Sequence, residues 1–200
     1  MTPVQAADAF LEAGVRILQY RNKGFFSRTA FDEACEIARM CHHAHALFII
    51  NDRADMAALC GASGVHLGQD DLAPTDARQV LPAGAICGLS THNEAQFRQA
   101  TAEPVDYLAL GPIFGTGSKA NPDPVVGIAE LHRLRPLTPR PLVAIGGITR
   151  SNASEVWAAG ANSVAVISDA FPVEANPSSL RARAQEWLQL AAPQRNCYHE

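Results

Sequence analysis

The chain lacks the surplus of basic residues that nucleic-acid-binding proteins carry. Its 16 Lys and Arg stand against 20 Asp and Glu, and the formal net charge is -4 at pH 7. Affinity for a nucleic-acid backbone depends on clustered Lys and Arg side chains that neutralise phosphates. We therefore exclude a general nucleic-acid binder, although a local basic pocket is compatible with this charge balance.

Paired cysteine motifs are missing as well. The five cysteines are scattered, odd in number and without a C-x-x-C pair; they are Cys35, Cys41, Cys60, Cys87 and Cys197. This usage argues against a disulfide framework and against a zinc site, and it favours reduced thiols in a cytosol. We therefore predict a cytoplasmic protein.

Long apolar segments are also absent. No uninterrupted run approaches the length of about 18 residues that a membrane helix needs, and the N-terminus has no basic patch followed by an apolar stretch. We expect no membrane partner. The 48% hydrophobic and 18% charged content instead suits one globular domain with a sizeable core. That domain is predicted to span residues 1–192, with a loose tail at 193–200 because Pro193 should break the last helix.

What the sequence does contain is a regular alternation of short β-rich runs and amphipathic segments. Strands are predicted at residues 15–19, 46–50, 64–67, 85–89, 106–110, 141–145 and 162–167. Helices are predicted at residues 3–12, 29–42, 53–60, 74–80, 93–102, 127–134, 150–159 and 179–190. Strands separated by single helices, with no polar alternation inside the strands, predict a parallel sheet covered by helices.

The number of predicted strands points to a particular α/β architecture. A closed (β/α)8 TIM barrel needs eight strands, and seven are predicted here. The first helix has no strand before it, so we expect a TIM barrel that lacks its opening strand in this chain. An open barrel exposes strand edges and apolar interior, which favours a homo-oligomer.

Two neighbouring predicted strands are each followed by acidic residues. Asn51 and Asp52 follow the second strand, and Asp70 and Asp71 follow the third. Oxygen ligands without histidine or cysteine partners favour Mg²⁺, which keeps several waters and also binds substrate phosphate. The alternative is that Asp52 caps the next helix while Asp70 and Asp71 form a turn. Because the pattern occurs twice at equivalent places, we favour a shared metal site.

The other polar candidates also follow predicted strands. They are Gln19, Arg21 and Lys23 after the first strand, Ser90, Thr91 and His92 after the fourth, the segment 111–119 after the fifth, Gly146 and Gly147 after the sixth, and Ile167 and Ser168 after the seventh. In a TIM barrel these exits share the face that carries the active site, and the last two bind phosphate through backbone N–H groups.

This distribution of groups predicts two phosphate pockets. Arg21, Lys23 and Lys119, together with an amide and two acids around a metal, describe a diphosphate pocket. The glycine and serine residues that follow the sixth and seventh predicted strands indicate a separate monophosphate pocket. Two phosphate pockets imply two small-molecule substrates.

Several of these residues also have an ordinary structural interpretation. Lys119 is equally well explained as a solvated loop lysine, Gly146 and Gly147 as a tight turn, and Ser90 as a cap of a helix opened by Ser90, Thr91 and His92. His66 lies inside a predicted strand, and we expect it to pack in the core. His42, His43 and His45 are predicted to form a solvated helix end, where imidazolium is favourable.

At these residues the chain resembles the thiamine phosphate synthase family, magnesium enzymes that join a pyrimidine diphosphate to a thiazole phosphate. The likeness runs over residues 15–168 and is carried by the motifs Gln19-Tyr20-Arg21-Asn22-Lys23, Asn51-Asp52-Arg53, His66-Leu67-Gly68-Gln69-Asp70-Asp71, Ser90-Thr91-His92, Gly111-Pro112-Ile113-Phe114, Ala144-Ile145-Gly146-Gly147-Ile148 and Ala165-Val166-Ile167-Ser168. Two departures lie in the loop after the fifth strand, where Gly115 replaces a proline and Ser118 a threonine. Because glycine adds backbone entropy, this loop should be floppier than in the family.

The resemblance implies a role for each matching residue. The pyrimidine diphosphate would be held by Gln19, Tyr20, Arg21, Asn22, Lys23, Asn51, Ser90 and Lys119, of which Arg21, Lys23, Ser90 and Lys119 would act in catalysis. The thiazole partner would be held by Thr116, Gly117, Ser118, Gly147, Ile167 and Ser168. Mg²⁺ would be carried by Asp52 and by Asp71 rather than Asp70.

Two other functions are alternatives to the synthase. The related thiazole tautomerase shares the fold and the late phosphate site, but it lacks acids that match Asp52 and Asp71. It also carries a catalytic histidine where this chain has Pro112. A non-catalytic, phosphate-binding barrel is the alternative from another class. Release of diphosphate from the two substrates is expected of the synthase alone.

Overall fold

The computed structural model describes residues 1–115 and 123–195, with side chains up to residue 192. The candidates Thr116, Gly117, Ser118 and Lys119 therefore lie outside the described residues. The chain divides into two compact units. The first is Met1–Cys87 with Pro172–Leu188, and the second is Gly88–Phe171 with the chain from Gln189 onward.

The described residues form seven strands, and within each unit neighbouring strands pair in the order of the chain. The strands are β1 (Ile17–Tyr20), β2 (Leu47–Asn51), β3 (Gly64–Leu67), β4 (Ile86–Thr91), β5 (Tyr107–Leu110), β6 (Leu142–Ile145) and β7 (Ser163–Ala165). In the first unit β1 pairs with β2 and β2 with β3, and in the second β4 pairs with β5, β5 with β6 and β6 with β7, all in parallel. The parallel sheet agrees with the prediction from the sequence.

Helices alternate with these strands. They are α1 (Pro3–Ala13), α2 (Arg28–His43), α3 (Ala54–Cys60), α4 (Pro74–Val80), α5 (Glu94–Ala100), α6 (Ile128–Leu134), α7 (Ala153–Ala158) and α8 (Pro177–Arg195), with short 3₁₀ turns at Arg135–Leu137 and Ser168–Ala170. The predicted α/β class, with seven strands in the described part of the chain, is thus confirmed. None of the helices that the structure describes is both long enough and apolar enough to cross a membrane.

Two element boundaries differ from the prediction for local reasons. Strand β1 begins at Ile17 rather than at residue 15, because the Val15 N–H donates to the Phe10 carbonyl and so belongs to the C-terminus of α1. The expected break at Pro193 is wrong, since α8 continues to Arg195. A proline removes only one backbone donor, and in the last turn of a helix that loss is small.

The core of each unit includes buried side chains of its strands. In the first unit β2 and β3 contribute Phe48, Ile50, Val65 and Leu67, each at most 1% exposed. Strand β1 differs, because Ile17 is 59% exposed and its neighbour Leu47 is 40% exposed.

In the second unit the buried side chains include Leu108, Leu110, Leu131, Leu134 and Leu142. The buried strands give the polar residues at their ends a rigid support.

Candidate active site

Asp52 follows β2 in an unusual backbone conformation. Its φ is +68°, in the left-handed region that non-glycine residues rarely adopt. The backbone N–H of Asp52 donates to the His66 carbonyl at 2.8 Å, which ties the end of β2 to β3. Asp52 does not cap the next helix, because the N-cap of α3 is Arg53 and has no side-chain capping bond. The capping interpretation is therefore wrong, and a strained acid at a strand end is typical of a functional position.

Asp71 lies beside Asp52, in the loop that follows β3. One of its carboxylate oxygens accepts the Gly68 N–H at 2.7 Å, so the predicted turn is present. Burial raises the pKa of Asp71, and the hydrogen-bonded Asp52 carboxyl raises that pKa further, while the Gly68 N–H and the Lys23 ammonium oppose both effects. Two acids that meet this closely repel each other when both are charged. Asp70, in contrast, is exposed.

Lys23 provides the cation of this group. Its Nζ lies 2.5 Å from an Asp52 carboxylate oxygen, and the Asp52 side chain is only 20% exposed. We name Lys23, Asp52 and Asp71 the carboxylate centre. One lysine against two acids leaves the carboxylate centre negative, which suits a divalent cation with oxygen ligands. In the described residues no larger cluster of His, Cys, Asp or Glu is arranged to hold a metal.

The remaining candidates of the first unit lie close to the carboxylate centre in sequence. Gln19 and Tyr20 are the last two residues of β1, which ends one residue later than predicted. Tyr20 donates its hydroxyl to Glu33 at 3.0 Å, and burial together with this carboxylate raises the pKa of Tyr20 to about 12. Arg21 is exposed, and Asn51 is buried as the last residue of β2.

The loop after β1 has a defined local shape. Asn22 accepts the Gly24 N–H through its side-chain oxygen at 2.9 Å, which turns the chain at Lys23. The same segment carries Phe25, which is 90% exposed. The Asn22 bond thus shapes the loop that presents Lys23 to Asp52.

The fourth strand is longer than predicted. Ser90 and Thr91 lie within β4, and α5 begins at Glu94 with Asn93 as its cap, so Ser90 is not a helix cap. The strand continues because Thr91 still pairs with Leu110 of β5, and the Thr91 hydroxyl also donates to the Ala109 carbonyl at 2.9 Å. His92 follows the strand, and its Nδ1 lies 2.6 Å from the carbonyl oxygen of Gly111. Because a carbonyl oxygen can only accept a hydrogen bond, Nδ1 of His92 is the donor in this contact.

The other histidines match their structural interpretation. His66 is 7% exposed inside β3, as expected for a core residue. The trio at the end of α2 is exposed, and His43 contacts the Arg39 carbonyl through Nδ1 at 2.8 Å. These residues therefore belong to the framework of the fold.

The glycine pair after β6 forms a tight, closely packed turn. Gly146 has φ +96° and Gly147 has φ +65°. A Cβ on Gly147 would lie 2.5 Å from the Gly115 carbonyl oxygen, so only glycine fits. The tight-turn interpretation of Gly146 and Gly147 therefore holds for the backbone. We name residues 146–149 the glycine loop.

Three residues that support this region were missed from the sequence. Asn152 donates to the Gly147 carbonyl at 3.1 Å and accepts the Thr149 N–H at 2.7 Å. Arg150 Nε donates to an Asp169 carboxylate oxygen at 2.9 Å. Asn152 has a sequence signal, since a side-chain acceptor three residues after Thr149 closes a turn. The Arg150–Asp169 pair spans 19 residues and leaves no such signal.

The Arg150–Asp169 pair connects the glycine loop to the 3₁₀ turn that contains Ser168. Ile167 and Ser168 are both exposed there. Asp169→Ala is expected to lower the midpoint of thermal unfolding by about 2–4 °C, because a charged hydrogen bond in a half-buried pair is worth about 1 kcal/mol. Differential scanning fluorimetry measures the shift.

The matched control for this variant is Glu36→Ala, which breaks the exposed Glu36–Arg39 pair on α2. Exposed pairs contribute little, so the midpoint should move by less than about 1 °C. Equal shifts in the two variants would contradict a structural role for the Arg150–Asp169 pair.

Comparison with known proteins gives a consistent result. The family model described as thiamine monophosphate synthase matches residues 1–170. A thiamine-phosphate synthase from Koribacter versatilis is 50% identical over 184 residues, which cover 92% of this chain and 84% of that protein. A thiamine-phosphate synthase from Methanoculleus marisnigri is 46% identical over 155 residues, covering 78% of this chain and 74% of that protein.

A solved structure agrees with these sequence relatives. The thiamine phosphate pyrophosphorylase from Pyrococcus furiosus superimposes with a TM-score of 0.85 and 28% sequence identity, covering 96% of this chain and 91% of that one. This similarity confirms the predicted fold class, an α/β chain of the TIM-barrel type.

Proposed function

Because the chain belongs to the thiamine monophosphate synthase family and is a transferase, we propose that it couples hydroxymethylpyrimidine diphosphate with hydroxyethylthiazole phosphate or its carboxylated form. The products are thiamine phosphate and diphosphate. The observation that carries this proposal is the carboxylate centre, in which two acids and a lysine meet although 29 or more residues separate Lys23 from either acid.

Asp52 and Asp71 are the proposed ligands of Mg²⁺. Their carboxylate oxygens are the hard donors that this ion prefers. The repulsion between them, which contributes to the raised pKa of Asp71, would be relieved by a divalent cation. When bound, the ion supplies charge neutralisation for a departing diphosphate.

The cationic side chains are proposed to act on the same diphosphate. Lys23 and Arg21 are exposed, so both are available to phosphate oxygens. Donors aimed at the departing group stabilise its charge as the carbon–oxygen bond breaks. The proposed diphosphate-binding set is completed by Gln19, Tyr20, Asn22, Asn51, Ser90 and Lys119.

The glycine loop is proposed to hold the thiazole phosphate through backbone N–H groups. Gly147 brings the backbone close enough for such contacts, because it has no Cβ. The proposed partners are Thr116, Gly117, Ser118, Ile167 and Ser168. The thiazole nitrogen then attacks the pyrimidine methylene carbon as diphosphate leaves with the bonding electrons. Orientation carries most of this reaction, so no side-chain base is required.

Incubation of the purified protein with both substrates and MgCl₂ tests the proposed function. We expect diphosphate and thiamine phosphate to form in equal amounts, with diphosphate followed through inorganic pyrophosphatase and a phosphate assay. A protein that binds both phosphates without releasing diphosphate would overturn the proposal and favour the binding or tautomerase alternative.

Cytoplasmic location and homo-oligomerisation stay predictions from the sequence. The exposure of Ile17 and Leu47 on the β1–β2 pair supports self-association, because apolar side chains on a strand edge favour contact with another chain. Light scattering after gel filtration measures the oligomeric state directly.

A further inference from the structure

Two aromatic rings close the base of the loop that carries Lys23. Tyr20 is the last residue of β1, and Phe26 directly precedes Ser27, the cap of α2. Their rings meet edge to face, with centroids 6.3 Å apart and planes at 81°. This is a favoured geometry for aromatic pairs. The contact holds together the two ends of the segment 21–25.

Tyr20 is anchored on its far side by α2. Its hydroxyl donates to Glu33 at 3.0 Å, and the raised pKa of Tyr20, about 12, keeps the phenol protonated at physiological pH. This hydrogen bond fixes the ring against which Phe26 packs.

Phe26 also contacts the loop that carries Asp52. The Arg53 guanidinium carbon lies 5.7 Å from the centre of the Phe26 ring, within the range of a cation–π contact. Asp55 holds Arg53 through two bonds, Nε to Oδ1 at 2.8 Å and one Nη to Oδ2 at 2.5 Å. Such a two-point pair fixes the guanidinium plane. We name Tyr20, Phe26 and Arg53 the aromatic clamp.

The loops of Lys23 and Asp52 are thus joined twice. The first link is the Lys23–Asp52 ion pair, and the second is the Arg53–Phe26 contact one residue farther along the chain. A cation bound to Asp52 and a diphosphate bound to Lys23 both compete with the first link. The second link involves neither group, so it can keep the two loops together when the ion pair opens.

We propose that Phe26 and Arg53 are positioning residues that hold the Lys23 loop in place for the diphosphate. The inference rests on the proposed function, because it assumes that Lys23 binds that substrate. Without the clamp, the segment 21–25 would have to be ordered during binding, which weakens affinity without changing the bound geometry.

Phe26→Leu tests the clamp. It keeps an apolar side chain but removes the ring that both Tyr20 and Arg53 contact. We expect the KM for the pyrimidine diphosphate to rise about 10-fold, with kcat within about threefold of the wild type and an unchanged KM for the thiazole phosphate. Phe26→Tyr retains the ring and should restore the KM. Arg53→Met should resemble Phe26→Leu, and Arg53→Lys should recover part of the effect.

A second measurement does not need turnover. Isothermal titration with inorganic diphosphate and MgCl₂ should show about 10-fold weaker binding to Phe26→Leu than to the wild type and near-normal binding to Phe26→Tyr. Wild-type affinity in Phe26→Leu, or equal weakening in Phe26→Tyr, would overturn the clamp. A parallel loss for both substrates would also overturn it, since it would indicate general damage. If the wild type bound diphosphate but showed no synthase activity, the proposed function would be refuted and the clamp would not.

Discussion

Asp71→Asn is expected to lower turnover by about 100-fold or more, the scale of losing one key electrostatic contact in an active site. The asparagine side-chain oxygen can still accept the Gly68 N–H, so the turn at residues 68–71 should persist. What the variant removes is one of the two negative charges of the carboxylate centre. The steady-state rate of diphosphate release, with MgCl₂ and both substrates saturating, measures the loss.

The neighbouring acid supplies the control. Asp70 is exposed and one residue away, so Asp70→Asn removes the same charge from the same loop outside the carboxylate centre and should leave turnover within about twofold. Binding of Mn²⁺, followed by electron paramagnetic resonance, should weaken in Asp71→Asn and not in Asp70→Asn. Wild-type turnover in Asp71→Asn, or equal losses in both variants, would refute Asp71 as the metal ligand.

Gly147→Ala is expected to raise the KM for the thiazole phosphate by about 100-fold, since several backbone hydrogen bonds would shift together. The added Cβ would lie 2.5 Å from the Gly115 carbonyl oxygen, and φ at this position is +65°. The turn must therefore move, and with it the backbone N–H groups that are proposed to face the phosphate. Initial rates with the thiazole phosphate varied at a fixed excess of the pyrimidine diphosphate measure the change.

Gly127→Ala is the control that separates the effect of a steric clash from the effect of backbone strain at positive φ. Gly127 lies in the same unit with φ +83°, but a Cβ there would meet none of the described residues within 4 Å. Gly127→Ala should thus lower stability by about 1–2 kcal/mol through strain at positive φ and leave both KM values unchanged. If the two variants lost affinity equally, strain rather than the collision would explain the result, and the phosphate assignment would lose its support.

The sequence predicted the order and kind of the elements better than their ends. Residues 64–67 and 74–80 were placed without error, because a glycine opens β3 and a proline opens α4. The predicted ends of β1 and β4 were wrong because hydrogen bonds determine where these strands begin and end. Val15 joins the end of α1 through its backbone bond to Phe10, and Thr91 extends β4 through its pairing with Leu110. Neither bond follows from a hydrophobic pattern.

The candidate site divides in the same way. Asp52, Asp71 and Lys23 were identifiable because each closely follows a predicted strand, and the structure brings them together. Their supports were not identifiable. The Tyr20–Glu33 and Arg53–Phe26 contacts join different elements, and only the folded chain reveals such pairs. The assignments of Thr116, Gly117, Ser118 and Lys119 stay predictions.

The left-handed backbone at Asp52 has a consequence for selection experiments. A library at this position that is screened only for heat resistance should enrich glycine, which adopts this conformation without steric cost. A library screened for growth without supplied vitamin should return to aspartate. Folding stability thus favours glycine at position 52, whereas the proposed chemistry favours aspartate. Directed evolution for stability alone would therefore select against the carboxylate.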